Sequence, residues 1–120
     1  IALRQEPQLL INIDQPKAAI LSDEVASALT EATLQAIINS QQHAGTGVTR
    51  ELRARSTNNG GVKIVVKDNG RGFRLSRVPK NRFGVRISII ERVEAVGGRV
   101  FVDSKPGNGA TIILEWQPQK

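Results

Sequence analysis

Four stretches carry groups that could do chemistry. In Lys67-Asp68-Asn69-Gly70-Arg71-Gly72-Phe73, an apolar β-branched run (Val62, Ile64, Val65, Val66) gives way to a loop rich in arginine. Asp68 is the single acid at the mouth of that run, and a carboxylate there is a good acceptor for an amine such as the one on adenine. Gly70 and Gly72 have no Cβ, so backbone can approach a flat ring closely. The same residues suit an Asn-Gly turn closing a hairpin, and taken alone the stretch does not choose between the two readings. The second stretch holds Gln35, Asn39 and His43, which recur every fourth position and form a slowly drifting polar stripe on a helix. The third is a glycine, Gly84, at the expected start of another helix. The fourth is the turn Pro106-Gly107-Asn108-Gly109 before the last apolar run.

Several other chemistries are excluded. There is no Gly-x-x-x-x-Gly-Lys-Ser/Thr loop, and no Gly-x-Gly-x-x-Gly follows the first strand. The chain has no cysteine and one histidine, which removes disulfides, thiolate metal sites and a histidine-built metal centre. A hydrolase triad would need His43 to serve a nucleophile for which no Gly-x-Ser-x-Gly elbow exists. The net charge of +6 is unevenly spread, since acids outnumber bases up to about residue 45. Between Arg50 and Arg92 the bases Arg50, Arg53, Arg55, Lys63, Lys67, Arg71, Arg74, Arg77, Lys80, Arg82, Arg86 and Arg92 are accompanied by only three acids, Glu51, Asp68 and Glu91. Such a field attracts phosphates, whether of a nucleotide, a nucleic acid or a phosphorylated partner. Aromatic residues are few (Phe73, Phe83, Phe101, Trp116), which leaves little platform for stacking bases.

The elements that must position these groups follow from periodicity and punctuation. Residues 8–14 read as a strand stopped by Pro16. Ser22 or Asp23 can cap a helix that runs to about Ala44 and ends at Gly45. Val25, Leu29, Leu34, Ile37 and Ile38 are expected to form its apolar face. Residues 48–56 alternate as a strand with one wet face, 57–61 make a hairpin turn, and 62–67 form a central strand. Residues 70–83 form an arginine-rich loop in which Pro79 argues against regular structure. A second helix is expected over 84–96, with Ile87, Ile90, Val93 and Val96 inside, followed by strands at 99–104 and 110–116. The order β-α-β-β-α-β-β implies a two-layer α/β sandwich. One mixed, mostly antiparallel sheet of about five strands carries two long helices, with room for a short third, on one face. Residues 1–120 make a single domain with a real core. No apolar run approaches membrane-spanning length, and the first residue, Ile1, suggests a piece of a longer protein.

Taken together, the boxes resemble the GHKL family of ATP-binding domains, and in particular the catalytic domain of short-lidded, nitrate-sensor-like histidine kinases. The resemblance covers residues 8 to 117. Asn39-Ser40-Gln41-Gln42-His43-Ala44 matches the N box, and Asp68-Asn69-Gly70-Arg71-Gly72-Phe73 the first glycine box. Gly84 to Val93, ending in Gly97-Gly98, matches the second, and Ser104 to Thr111 the third. It implies ATP and Mg²⁺ as ligands. Asp68 would take the adenine amine, with Gly70, Arg71 and Gly72 beside it, and Asn39 would hold Mg²⁺ through its amide oxygen. His43 would lie near the phosphates or, equally, bond the free carbonyls at the helix end. Gly84, Val85 and Arg86 would present first-turn amides to phosphate, and Thr111 belongs to a turn under the nucleotide. Arg71, Arg74, Arg77, Lys80 and Arg82 would form a lid that orders when nucleotide binds.

One departure stands out. Relatives usually carry glutamate where this chain has Gln35, and an amide cannot act as general base. Glu31 is one turn further back, about 6 Å along the axis. Gln35 would then suppress idle hydrolysis while permitting transfer, or else mark a degenerate kinase that binds ATP and barely transfers it. The implied partners are a dimerisation domain bearing the phosphoacceptor histidine and a response regulator. Direct nucleic-acid binding and membrane contact by this domain are not implied. The isolated chain is expected to be monomeric and cytoplasmic, with any membrane anchor elsewhere in the protein. Serine-directed kinases and gyrase-type ATPases share the fold and remain alternatives, as does a non-enzymatic basic module. Trp116, the single tryptophan, offers a fluorescence reporter for nucleotide.

Overall fold

The computed structural model describes residues 9–14, 21–45, 47–57, 59–72 and 80–118, with the backbone path alone at 9–14 and 80–86. Pro16, Phe73, Pro79 and the lid residues Arg74 and Arg77 lie outside the described residues, as do the side chains of Lys80, Arg82, Val85 and Arg86. The elements in chain order are β1 (Leu9–Asp14), α1 (Asp23–His43), β2 (Arg50–Ser56), β3 (Val62–Asp68), α2 (Lys80–Glu94), β4 (Arg99–Ser104) and β5 (Ala110–Trp116). They build one five-stranded sheet in the order β1-β2-β3-β5-β4. Only β1 and β2 run parallel. They are the pair joined through a helix, as a parallel connection requires. The remaining pairs, β2–β3, β3–β5 and β4–β5, are antiparallel. The mixed sandwich expected from the sequence is therefore the observed fold, with two helices among the described residues.

Both helices cover one face of the sheet. Val66, Ile112, Leu114 and Trp116 point inward, where they meet Val25, Leu29, Ala32 and Ala36 of α1 and Ile89 and Val93 of α2. Leu52, Val62, Ile64, Val100 and Val102 extend this core, in keeping with the two-residue period of a half-buried strand. The same alternation matters at the other end of the strands. Arg50 pairs with Asp68, and Asp68 with Ala110, so these three share one cross-strand row on the helix-facing side.

Helix α1 begins where expected, with Ser22 as N-cap accepting from the Val25 amide at 3.2 Å and Asp23 and Glu24 in the first turn. Its buried seam differs from the sequence reading. Leu34 and Ile38 are half exposed, and the seam is Val25, Ala28, Leu29, Ala32, Ala36 and Ser40. Small residues win that face because they let the helix axis approach the sheet, and the leucine and isoleucine are left on the flank. Helix α2 differs in two respects. It starts at Lys80, four residues before Gly84, because the restriction attributed to Pro79 applies inside a helix and not at its N-terminal boundary. Its buried positions are Ile89 and Val93, whereas Ile87 is exposed and Ile90 only partly covered.

Candidate functional site

The C-terminal end of β3, the start of β5 and the last two turns of α1 line a solvent-open cleft. Asn39, Ser40, His43, Asp68 and Gly72 line it, with Ala36, Val66, Ala110 and Ile112 as apolar walls. Two of the four sequence stretches thus meet in one place, and the residue that follows the fourth, Ala110, joins them. Apolar walls with a single carboxylate suit a flat heteroaromatic ring, which needs surface on its faces and a partner at one polar edge.

Asp68 is 5% exposed and is held from three sides. Its Oδ1 accepts from the Gly70 amide at 2.9 Å and the Ala110 amide at 3.2 Å. Its Oδ2 accepts from the Ser40 hydroxyl at 2.6 Å. Ser40 in turn accepts from Arg50 Nε at 2.8 Å, and Arg50 Nη2 donates to the Ser40 carbonyl at 3.0 Å. Arg50, expected in the basic field, is 1% exposed and does not belong to it. Its signal was present in the sequence, since Arg50 is in phase with Leu52 and Ala54 on the inner face. Ser40 was also legible, being in phase with the buried stripe of α1.

The Asp-Asn-Gly-Arg-Gly stretch is no hairpin turn, because β3 pairs with β5 and not with the segment that follows it. It is instead knitted to two neighbours. The Arg71 amide donates to the Ala44 carbonyl at 2.9 Å, and the Arg71 carbonyl accepts from the Gly107 amide at 2.7 Å. Asn69 Oδ1 accepts from the Thr49 amide at 2.8 Å. Gly72 adopts φ +63°, and a Cβ there would lie 2.1 Å from the Lys105 carbonyl oxygen, so no other residue fits. At Gly70 a Cβ would meet the Ala44 carbonyl at 2.4 Å, where the turn passes against the end of α1. The Arg71 side chain is exposed and runs beside Gly45.

Two predicted positions fall elsewhere. Thr111 stands on the opposite face of the sheet from the cleft, because alternation along β5 turns Ala110 and Ile112 inward. Gly84 lies in the body of α2, so the amides left without helical partners belong to residues 80–83 and not to Gly84, Val85 and Arg86. Trp116 pairs with Val62 while Ala110 pairs with Asp68, which places the indole at the far end of β5, about 20 Å along the strand. It is a poor reporter for the cleft.

Asn39 Oδ1 and Gln35 Oε1 are buried and have no hydrogen-bond partner among the described residues. Leaving a buried acceptor unmade costs about 1–3 kcal/mol, and of the two it is Asn39 that lines the cleft. A side-chain amide oxygen is a hard, neutral donor of the kind Mg²⁺ takes alongside water and phosphate oxygens, so Asn39 fits that ion. Among the described residues no cluster of three or more His, Asp or Glu could hold a metal unaided, so phosphates would have to complete the coordination.

Residues 24–120 match the family of histidine kinase-, DNA gyrase B- and HSP90-like ATPases. The chain is 30% identical over 93 residues to the signal transduction histidine-protein kinase/phosphatase DegS of Brevibacillus brevis, an alignment that covers 77% of this chain and 23% of DegS. It is 32% identical over 99 residues to an uncharacterized sensor-like histidine kinase of Chloroflexus aurantiacus, covering 78% of this chain and 16% of that protein. The chain therefore spans less than a quarter of either relative. Among solved structures, the histidine kinase domain of a blue-light-activated histidine kinase of Erythrobacter litoralis superposes with a TM-score of 0.71 at 20% identity, over 89% of this chain and 53% of that one. Full-length ShkA in complex with AMPPNP gives 0.73 at 24% identity, over 95% of this chain and 26% of that one. Those two likenesses speak for the fold, and the family match speaks for descent. The chain belongs to the histidine kinase-, DNA gyrase B- and HSP90-like ATPase family.

Proposed function

We propose that residues 1–120 are the single ATP-binding catalytic domain of a longer sensor histidine kinase. It binds Mg²⁺-ATP in the cleft and donates the γ-phosphate to a histidine on a separate dimerisation domain, from which a response regulator is charged. The observation that carries this reading is the juxtaposition of a carboxylate offered to a ring edge, Asp68, with an unpartnered amide oxygen, Asn39 Oδ1, in one cleft. Asp68 accepts the adenine amine, and Ala36, Val66 and Ile112 cover the ring faces. Asn39 would hold Mg²⁺, which when bound would neutralise phosphate charge. His43, one turn further along α1, lines the same cleft and would lie near the phosphates. Residues 80–83 supply the free amides of the α2 N-terminus, suited to anionic oxygens.

Gln35 is consistent with an imidazole acceptor. Water must lose a proton to attack and benefits from a nearby base, which an amide cannot be. A neutral imidazole nitrogen already carries a free lone pair and needs none. The domain would work on the cytoplasmic side of a membrane or free of one, and no described helix is long and apolar enough to cross a bilayer.

The competing nucleic-acid reading is weakened by the outer sheet face. Arg53 is engaged by Glu51 at 2.7 Å and Lys63 by Glu115 at 3.9 Å, so part of the basic field is already answered. Thermal-shift titrations with Mg²⁺-ATP and with a short DNA duplex separate the two. The expected result is a saturable rise in Tm with Mg²⁺-ATP alone, lost in Asp68→Asn. Stabilisation by the duplex and none by ATP would reverse the reading.

A further inference from the structure

The buried Arg50–Ser40–Asp68 chain does something that the nucleotide reading does not itself require. A guanidinium has donors only, so the Arg50 Nε–H at 2.8 Å must use a lone pair of Ser40 Oγ. That leaves the Ser40 proton committed to Asp68 Oδ2, at 2.6 Å. An ionised carboxylate offers about four acceptor directions, and three are filled, by Ser40, Gly70 and Ala110. The direction that remains belongs to a residue lining the cleft. The last side-chain torsion of aspartate is soft, so the donors around it fix where that open direction points.

Holding Arg50 there is costly. Nearly all of it is buried, and its Nη1 has no partner among the described residues. A buried charge with an unmet donor is destabilising whatever its role, so the role of Arg50 is read from what it bonds. Two of its bonds end on Ser40, and Arg50 is the cross-strand neighbour of Asp68 in the β2–β3 register.

We propose that Ser40 and Arg50 are positioning residues for base selection. Arg50 fixes the direction of the Ser40 hydroxyl, the hydroxyl fixes the Asp68 carboxylate, and the fixed carboxylate selects a purine with an exocyclic amine over the same ring without one. This rests on the nucleotide reading of the cleft.

The test measures the affinity of the chain for ADP and for purine riboside 5′-diphosphate, which lacks only the amine, by calorimetry with Mg²⁺ present. Wild type is expected to prefer ADP by about tenfold or more, the scale of one hydrogen bond to a charged group. Ser40→Ala and Arg50→Met are expected to lower ADP affinity and bring the preference close to one, while affinity for the amine-free ligand stays within about twofold, as for a bond that ligand never makes. Ser40→Thr, which keeps the hydroxyl, is expected to retain the preference. A merely structural role would weaken both ligands together and leave their ratio intact. Wild-type preference that persists undiminished in folded Ser40→Ala overturns the proposal, and this smaller substitution decides the matter if Arg50→Met does not fold. Wild type that binds both equally overturns base selection by this relay, whereas wild type that binds neither overturns the nucleotide reading itself.

Discussion

At the scale of single residues, the chemistry turns on acceptors that the fold leaves short of partners on β3 and α1. Asp68 has a donor on three sides and lines the open space with what remains, while Asn39 Oδ1 and Gln35 Oε1 have no partner among the described residues. Gln35 is the residue whose exchange is most informative. Gln35→Glu is expected to raise phosphate release from ATP in the absence of any acceptor by about 10²-fold, the lower end of what a placed general base contributes. Transfer to the acceptor histidine in the full-length protein should change much less, because imidazole needs no base. Unchanged hydrolysis in the Glu variant would show that this position does not reach the attacking group. Recovery of transfer from almost nothing would mark the natural chain as a degenerate kinase. The motif residues Asn39, Asp68, Gly70 and Gly72 were legible from sequence because their types are chemically specific. Ser40 and Arg50 were passed over because serine in a helix and arginine in a basic run each have a commonplace reading, and only their phase on α1 and β2 marks them as inward.

At the scale of elements, α1 is the piece on which the site depends. It places Gln35, Asn39 and His43 along one side while Ala32 and Ala36, both essentially fully buried, let it settle against β3 and β5. Ala32→Leu is expected to lower stability by about 1–3 kcal/mol in urea unfolding, since the seam has no space for a larger side chain. Leu34→Ala, at a position 51% exposed, should stay within about 0.5 kcal/mol of the parent. The reverse order would mean that the large apolar residues, and not the alanines, hold the helix down. Strand boundaries and the α1 caps followed from alternation and from Ser22 and Gly45. The start of α2 did not, because Lys80 to Phe83 are compatible with helix or loop and the proline before them permits a helix to begin. The buried face of α1 departs from the expected one for a related reason. Hydrophobicity ranks leucine above alanine, but close approach of a helix to a sheet favours the smaller side chain.

At the scale of the molecule, the cleft exists only because four elements meet. β3 brings Asp68, β5 brings Ala110 and Ile112, α1 brings Asn39 and His43, and β2 supplies Arg50 from behind. The turn after β3 is tied to the end of α1 through Arg71 and Ala44, and to the β4–β5 turn through Gly107. Binding in the cleft should therefore be felt at the start of β5 as well as at the residues that touch ligand. The opposite face of the sheet, with Arg53, Val65, Ile113 and Phe101 in one cross-strand row, shares no side chain with the cleft and should remain silent. An amide NMR titration of the 120-residue chain with Mg²⁺-ATP tests the central claim directly. The account predicts saturable shifts at the backbone amides of Gly70, Gly72 and Ala110 and at the side-chain amide of Asn39, with little change at Val65 and Phe101. Shifts confined to the outer face, or none that saturate at the four cleft positions, would contradict it.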